Sequence, residues 1–162
     1  MRLYIVRHAW AEEPGDFRYP NDSDRPLTEE GRKRFRRVVS KLVDRGFQPQ
    51  QIATSPYLRT VQTSEIIAKS MPKEIEVATL PALAPGARIN ELLEWTAKVN
   101  QPEVAWVGHM PDVGDLTSIL IGAATNRIGF SKGAIAAIDF NGRAEVGRGI
   151  LCWLLTAKML GC

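Results

Sequence analysis

Histidine and cysteine are scarce in this chain, which has two of each among 162 residues. Cys152 and Cys162 form no Cys-x-x-Cys motif and have no histidine at metal-ligand spacing, so neither a zinc site nor a disulfide framework is indicated. We interpret Cys152 as a small buried hydrophobe and Cys162 as part of a frayed terminus. The sequence therefore predicts no metal and no other cofactor.

The chain also lacks a long hydrophobic run. No apolar stretch approaches 18 residues, and the first residues have no signal-peptide core, so we expect no membrane span and a cytoplasmic location. We expect residues 1–162 to form one domain, long enough to bury roughly 70% of its unfolded surface.

The charge excess is small, with a net charge of +3. Much of it comes from Arg32-Lys33-Arg34 and Arg36-Arg37, on one predicted helix. The simpler interpretation of this cluster is a solvated helix face. The more specific interpretation is a surface that binds an acidic protein partner. Nucleic acid is disfavoured, because no basic ribbon interleaved with aromatic residues accompanies the cluster.

Helical and strand patterns alternate along the chain. Apolar, β-branched runs predict six strands, at 2–7, 51–54, 74–80, 104–107, 134–140 and 149–156. Four amphipathic patterns predict helices: one capped by Thr28 and stopped by Gly46, one over 57–70, one with apolar positions from Ile89 to Val99, and one from Pro111 to Gly122. The last two strands are predicted to be joined by an Asn141-Gly142 turn, a strong hairpin signal. The pattern predicts a three-layer α/β/α fold around a mostly parallel sheet.

Both histidines close a short apolar strand: His8 follows the first, and His109 follows the fourth. Open α/β sheets bind ligands at the carboxyl ends of their strands, so both imidazoles would lie at the binding edge. A single isolated histidine is more often a hydrogen-bonded structural residue. Two at strand ends, and none elsewhere, favour a functional site.

Arginines accompany these histidines. Arg7 precedes His8, and Arg59 falls in the first turn of the second helix, where a cation opposes the helix dipole unless it faces an anion. The surface alternative is that Arg59 pairs with Glu65 or another acid. The polar segment 9–27 leaves directly from His8, and we expect it to overhang the site. An imidazole among guanidinium groups indicates phosphoryl transfer.

Four segments follow one another along the chain: Arg7-His8, Leu27-Thr28-Glu29-Glu30-Gly31, Ser55-Pro56-Tyr57-Leu58-Arg59-Thr60-Val61-Gln62-Thr63 and Gly108-His109. In this order they resemble the histidine phosphatase superfamily, which has the phosphoglycerate-mutase-like fold. Ser23-Asp24, Arg25-Pro26-Leu27-Thr28 and Gly108-His109-Met110-Pro111 look most like the SixA-type phosphohistidine phosphatases. The resemblance implies that one of the six strands is antiparallel.

The resemblance implies a metal-independent reaction in which His8 attacks phosphorus and forms a covalent phosphohistidine. Arg7, Arg25 and Arg59 would clamp the phosphoryl oxygens, and His109 would donate to them. We expect the arginines to lower the pKa of His8. The implied partner is a phosphohistidine-bearing protein, with no nucleic acid and no membrane.

Three departures from the superfamily pattern bear on the substrate. Ala9 replaces the usual glycine, and Trp10-Ala11-Glu12-Glu13 replaces a Glu-Ser-x-x-Asn-like stretch of the mutase branch. The acidic motif around that branch's general acid is also missing. Glu91 and Glu94 lie in that region, on a helix face that we interpret as solvated, although His109 or Glu91 remains open as the acid. The alternatives are a small-molecule phosphomonoesterase and a catalytically silent phospho-ligand binding module.

Overall fold

The computed structural model describes residues 1–123 and 128–162. In these ranges the strands are β1 (Arg2–Arg7), β2 (Gln51–Thr54), β3 (Glu76–Thr79), β4 (Glu103–Gly108), β5 (Ile135–Asp139) and β6 (Ile150–Leu155). The α-helices are α1 (Glu29–Val43), α2 (Leu58–Lys69), α3 (Ile89–Val99) and α4 (Asp112–Leu120). Two short 3-10 helices cover Asp22–Asp24 and Pro81–Leu83.

The ends of α1 follow from its sequence. The Thr28 hydroxyl accepts a hydrogen bond from the Gly31 amide at 2.9 Å and so caps one of the free amides of the first turn. Beyond the last turn, Gly46 takes a φ of +90°, which glycine adopts without strain. That conformation lets the Phe47 amide donate back to the Leu42 carbonyl at 3.0 Å. The predicted cap and stop are both confirmed.

The six strands form one sheet in the order β3-β2-β4-β1-β5-β6. The first four of these are parallel, and β5 runs antiparallel to both of its neighbours. The predicted mostly parallel six-stranded sheet with one antiparallel strand is therefore confirmed. Because Arg7 pairs with Gly108 in the register of β1 and β4, the two histidines leave the sheet side by side.

The sheet divides the interior into two cores, which makes the three layers. Alternate residues of β1 point to opposite faces. Tyr4 and Val6 join the core under α1 and α2. Leu3 and Ile5 join the core under α3 and α4. In the described part of the chain, no helix combines the length and apolar character needed to cross a bilayer.

The predicted antiparallel pairing of the last two strands is confirmed, but the Asn141-Gly142 turn does not join them by itself. Asp139 pairs with Ile150, so residues 140–149 connect the two strands. The Gly147 amide donates to the Ile119 carbonyl at 3.0 Å, and the Gly149 amide donates to the Leu120 carbonyl at 2.9 Å. These bonds tie the connection to the end of α4, which overrides the local turn signal. The third strand is also shorter than the predicted 74–80.

Both interpretations of the cysteines are wrong as well. Cys152 is exposed, because β6 lies at the edge of the sheet and alternate residues of this strand face solvent. Cys162 is held in place: its amide donates to the Ala157 carbonyl at 2.9 Å, and its carbonyl accepts from Arg34 at 2.9 Å.

Candidate active site

The carboxyl edge of the sheet brings the two histidines together, as the strand pattern predicted. Their ring centroids lie 5.5 Å apart, and both rings are buried. His8 follows the central strand β1, His109 follows β4, and Ser55 follows β2 on the other side of β4. The Ser55 amide continues the strand ladder by donating to the Val107 carbonyl at 3.1 Å. Three adjacent strand ends thus supply one site.

The His8 ring is fixed by a backbone carbonyl. Its Nδ1 lies 2.7 Å from the Ala9 oxygen. Because a carbonyl only accepts, Nδ1 carries the hydrogen and Nε2 keeps its lone pair. Burial lowers the pKa of His8 to about 3, with smaller contributions from Arg59, His109 and Arg7. The expected direction of the shift is found, but its main cause is loss of solvent rather than the arginines.

The His109 ring is held from its other nitrogen. Its Nε2 lies 2.9 Å from the Ser55 hydroxyl, and the Tyr57 ring packs edge-on at 5.0 Å between centroids. Burial is also the largest cause that lowers the pKa of His109, to about 4, followed by the charge of Arg59. Both imidazoles are therefore neutral at pH 7.

Arg59 points into the site and is only 4% exposed. It does not pair with Glu65. Its Nη2 donates to the Asp22 carboxylate at 2.8 Å, and its Nη1 donates to the Asp22 carbonyl at 2.7 Å. The other Asp22 oxygen accepts from Arg25 Nε at 2.8 Å, so one carboxylate bridges two of the predicted arginines. Segment 9–27, which supplies Asp22 and Arg25, overhangs the site as expected.

Arg7 is anchored from a different part of the chain. Its Nη1 donates to the Phe130 carbonyl at 2.6 Å, and burial lowers its pKa. Arg7 is also close enough for its charge to lower the pKa values of both histidines. The structure thus gathers Arg7, His8, Arg59 and His109 directly, and brings in Arg25 through Asp22.

Three buried nitrogens in this cluster have no hydrogen-bond partner: Arg7 Nε, Arg59 Nε and His109 Nδ1. Within residues 1–123 and 128–162, they are the only buried side-chain nitrogen or oxygen atoms left in this state. Buried polar groups without partners are costly, and such groups call for an explanation. Two of these atoms are guanidinium donors, and the third becomes a donor in one imidazole tautomer. An oxyanion is the acceptor that fits them.

Several contact residues were not singled out from the sequence. Asp22 stands three residues before Arg25, but Asp16 and Asp24 lie in the same segment, and nothing local distinguishes the three. Ser55 falls inside a recognised motif without a predicted role. The strand-end position that pointed to the histidines is a signal that also marks Ser55.

The two acidic candidates on α3 are not part of the cluster. Glu91 is exposed and hydrogen-bonds Arg88, and this bond lowers the pKa of Glu91. Glu94 is exposed as well, as a solvated helix face requires. Elsewhere in the described ranges, no group of three or more histidine, cysteine, aspartate or glutamate side chains is placed to hold a metal ion.

Known proteins are similar to this chain over most of its length. A family model of the histidine phosphatase superfamily (branch 1) matches residues 3–85. An uncharacterised protein of Picosynechococcus sp. (strain PCC 7002) is 32% identical over 146 residues, which cover 85% of this chain and 84% of that protein. The phosphohistidine phosphatase SixA of Escherichia coli K12 is 27% identical over 159 residues, covering 96% of this chain and 94% of SixA.

The fold is also similar to that of a phosphatase whose structure has been solved. The protein histidine phosphatase SixA, determined in complex with tungstate, superposes with a TM-score of 0.83 at 26% identity and covers 99% of both chains. Tungstate is a tetrahedral oxyanion, the type of ligand that the unpartnered nitrogens favour.

Proposed function

The chain belongs to the histidine phosphatase superfamily, and from this premise we propose that it is a phosphatase acting on phosphohistidine in a protein, with His8 as the nucleophile. The observation that carries the proposal is the state of the His8 ring. The Ala9 carbonyl holds the proton on Nδ1, and burial keeps the pKa of the ring far below neutral. A ring in this state presents the Nε2 lone pair that an in-line attack on phosphorus requires.

In the first step, the Nε2 lone pair of His8 forms a bond to phosphorus while the bond from phosphorus to the leaving nitrogen breaks. Arg7 and Arg59 supply positive charge to the equatorial oxygens, where the transition-state charge lies. His109 Nδ1 donates to the same group in its protonated-Nδ1 tautomer. In the second step, water attacks the phosphohistidine, releasing phosphate and restoring the His8 lone pair. The scheme uses no metal and no cofactor.

Among the described residues of the site there is no carboxylic acid in its protonated form, and this bears on the leaving group. The carboxylate in contact with the site arginines is that of Asp22. Burial opposes its charged form, but hydrogen bonds from Arg25 and Arg59 outweigh burial and lower the pKa of Asp22. An ionised carboxylate cannot protonate a departing alkoxide. A phosphorylated imidazole carries its own ring proton and departs as neutral imidazole, so it suits this site better than a sugar phosphate.

Similarity to SixA supports the same substrate class, because that relative is named a phosphohistidine phosphatase. A phosphohistidine-bearing protein is therefore the proposed partner. The cytoplasmic location expected from the sequence stays a prediction.

The test is a rapid acid-free quench with a substrate labelled on its phosphoryl group, in the presence of a chelator. Wild type should form an acid-labile, base-stable phosphoenzyme, and His8→Ala should lose both the label and turnover. Arg59→Ala should reduce the rate on the order of 10²–10³-fold, as for the loss of one pre-organised charge donor. His109→Ala should turn over substrate slowly but should still form the labelled phosphoenzyme.

Three results would count against the proposal. Label trapped by His8→Ala but not by His109→Ala would reverse the two roles. Activity that the chelator abolishes and a divalent ion restores would contradict the metal-free scheme. Turnover of sugar phosphates, with none of a phosphohistidine protein, would favour the small-molecule alternative.

A further inference from the structure

A basic cleft lies between α1 and α2, apart from the histidines. It has a volume of about 270 Å³ and is lined mainly by Arg32, Arg36, Gln62, Glu65, Ile66 and Lys69. We propose that this basic cleft is the docking surface for an acidic face of the phosphohistidine-bearing protein. The inference rests on the proposed function and adds the means by which the partner is recognised.

The cations of the cleft differ from the other cations of α1. Lys33 pairs with Glu29 at 2.8 Å, while Arg34 and Lys41 donate to backbone carbonyls near the end of the chain. In the part of the chain that the structure describes, Arg32, Arg36 and Lys69 make no ion pair and no side-chain hydrogen bond. The Glu65 carboxylate also lines the cleft but makes no ion pair with them, so the cleft keeps an excess of positive charge that is available to a partner.

The cleft lies along the same helix as one of the site arginines. Gln62 lies one turn beyond Arg59 on α2, and its side-chain oxygen accepts from the Leu27 amide at 2.7 Å. Ile66 and Lys69 continue the same face of the helix, at seven and ten residues from Arg59. At 1.5 Å per residue, Lys69 lies about 15 Å along the axis from Arg59. A protein bound at the site is large enough to cover this distance, whereas a small phosphomonoester is not.

The composition of the cleft favours an acidic protein over nucleic acid. No aromatic side chain lines it, so bases have nothing to stack on. A protein face carries separate carboxylates among polar groups, which match three cations beside Gln62. Such complementarity acts mainly on the rate of encounter, so it raises kcat/KM and weakens with salt.

The test compares two double variants with equal change of charge. Arg32→Glu with Arg36→Glu reverses the cleft, while Lys98→Glu with Arg148→Glu reverses exposed cations outside it. The protein probe is a histidine phosphotransfer domain of acidic pI phosphorylated on its histidine, and the small probe is phosphoramidate. Circular dichroism and thermal unfolding establish that each variant folds.

We expect the cleft variant to lose about tenfold or more in kcat/KM on the phosphorylated domain, with kcat/KM on phosphoramidate unchanged. The loss should shrink at high salt, and Arg32→Lys with Arg36→Lys should retain wild-type values. The control variant should match wild type on both probes. Equal losses on both probes, or wild-type activity of the cleft variant on the domain, would overturn the docking proposal alone. Wild-type enzyme that hydrolyses phosphoramidate but never the domain would instead overturn the proposed protein substrate.

Discussion

At the residue scale, the carboxylate of Asp22 decides how much positive charge the site offers. It holds Arg25 and Arg59 at 2.8 Å each and is half-exposed, so it both orients the guanidiniums and offsets their charge. A phosphoryl group that binds the same arginines adds a second anion beside it. Like charges at such separations repel, and the repulsion weakens oxyanion binding.

Asp22→Asn should therefore tighten oxyanion binding several-fold, since it removes the negative charge and keeps a side chain of the same shape. Isothermal titration with tungstate measures the Kd directly, and inhibition by phosphate should strengthen in parallel. Asp24→Asn is the matched control, because Asp24 lies in the same turn and bonds Asn21 and Ser23 instead. Weaker binding by Asp22→Asn would show that orienting the arginines outweighs the repulsion.

The sequence predicts which residues the sheet edge brings together better than it predicts their contacts. His8 and His109 are found from strand ends, and Arg59 from its conflict with the helix dipole, because these signals are local. The bond between Arg59 and Asp22 spans 37 residues and forms only when segment 9–27 closes over the sheet edge. For the same reason, the sequence does not show that burial contributes more than the arginines to the pKa of His8.

At the scale of elements, α1 begins against the chain that leaves β1. The Trp10 carbonyl accepts from the Thr28 amide at 3.0 Å. A Cβ placed on Gly31 would lie 2.2 Å from that carbonyl oxygen and 2.8 Å from the Thr28 hydroxyl. The first turn of the helix and the strand exit beside His8 therefore fit together only with glycine at this position.

Gly31→Ala should destabilise the fold by about 1–3 kcal/mol, because α1 must move away from a backbone atom rather than from a flexible side chain. Urea unfolding followed by circular dichroism gives the change in free energy. Gly129→Ala is the control, since a Cβ there meets nothing within 4 Å. Equal stability of the two variants would mean that the contact at Trp10 relaxes without cost.

Secondary-structure prediction succeeds for elements with a long local pattern. It fails where contacts with residues far along the chain determine the structure. The helix α1 has a cap, an apolar stripe and a glycine stop within a single stretch. The connection 140–149 contains a strong Asn-Gly turn signal, yet Gly147 and Gly149 are bonded to α4. A local turn preference is weaker than two backbone hydrogen bonds to a packed helix.

At the scale of the whole molecule, the two buried histidines make stability depend on pH. Their folded pKa values, about 3 and about 4, lie below the unfolded value of 6.5. Between these limits the unfolded chain binds more protons, so stability rises with pH and is complete above about pH 6.5. As pH falls through this window, this contribution to the unfolding free energy is progressively lost.

Wild type should lose roughly 2 kcal/mol of unfolding free energy for each ring between pH 7 and pH 5. The carboxylates with lowered pKa values act only below this range, so the interval isolates the histidines. Urea titrations at both pH values provide the measurement, and the variant His8→Asn with His109→Gln should show a much flatter profile. A wild-type profile as flat as that of the variant would contradict the buried neutral state.

The position of β1 in the sheet also sets the order in which the enzyme can be assembled. In the register, Arg2 faces Glu103 on one side and Asp139 on the other. During synthesis, the strand that ends at His8 therefore leaves the ribosome about a hundred residues before its first sheet partner. Pairing over such sequence distances closes long loops and is slow. The contact of Arg7 with the Phe130 carbonyl forms later still, so a nascent chain contains His8 early but has no complete candidate site until most of the protein has been made.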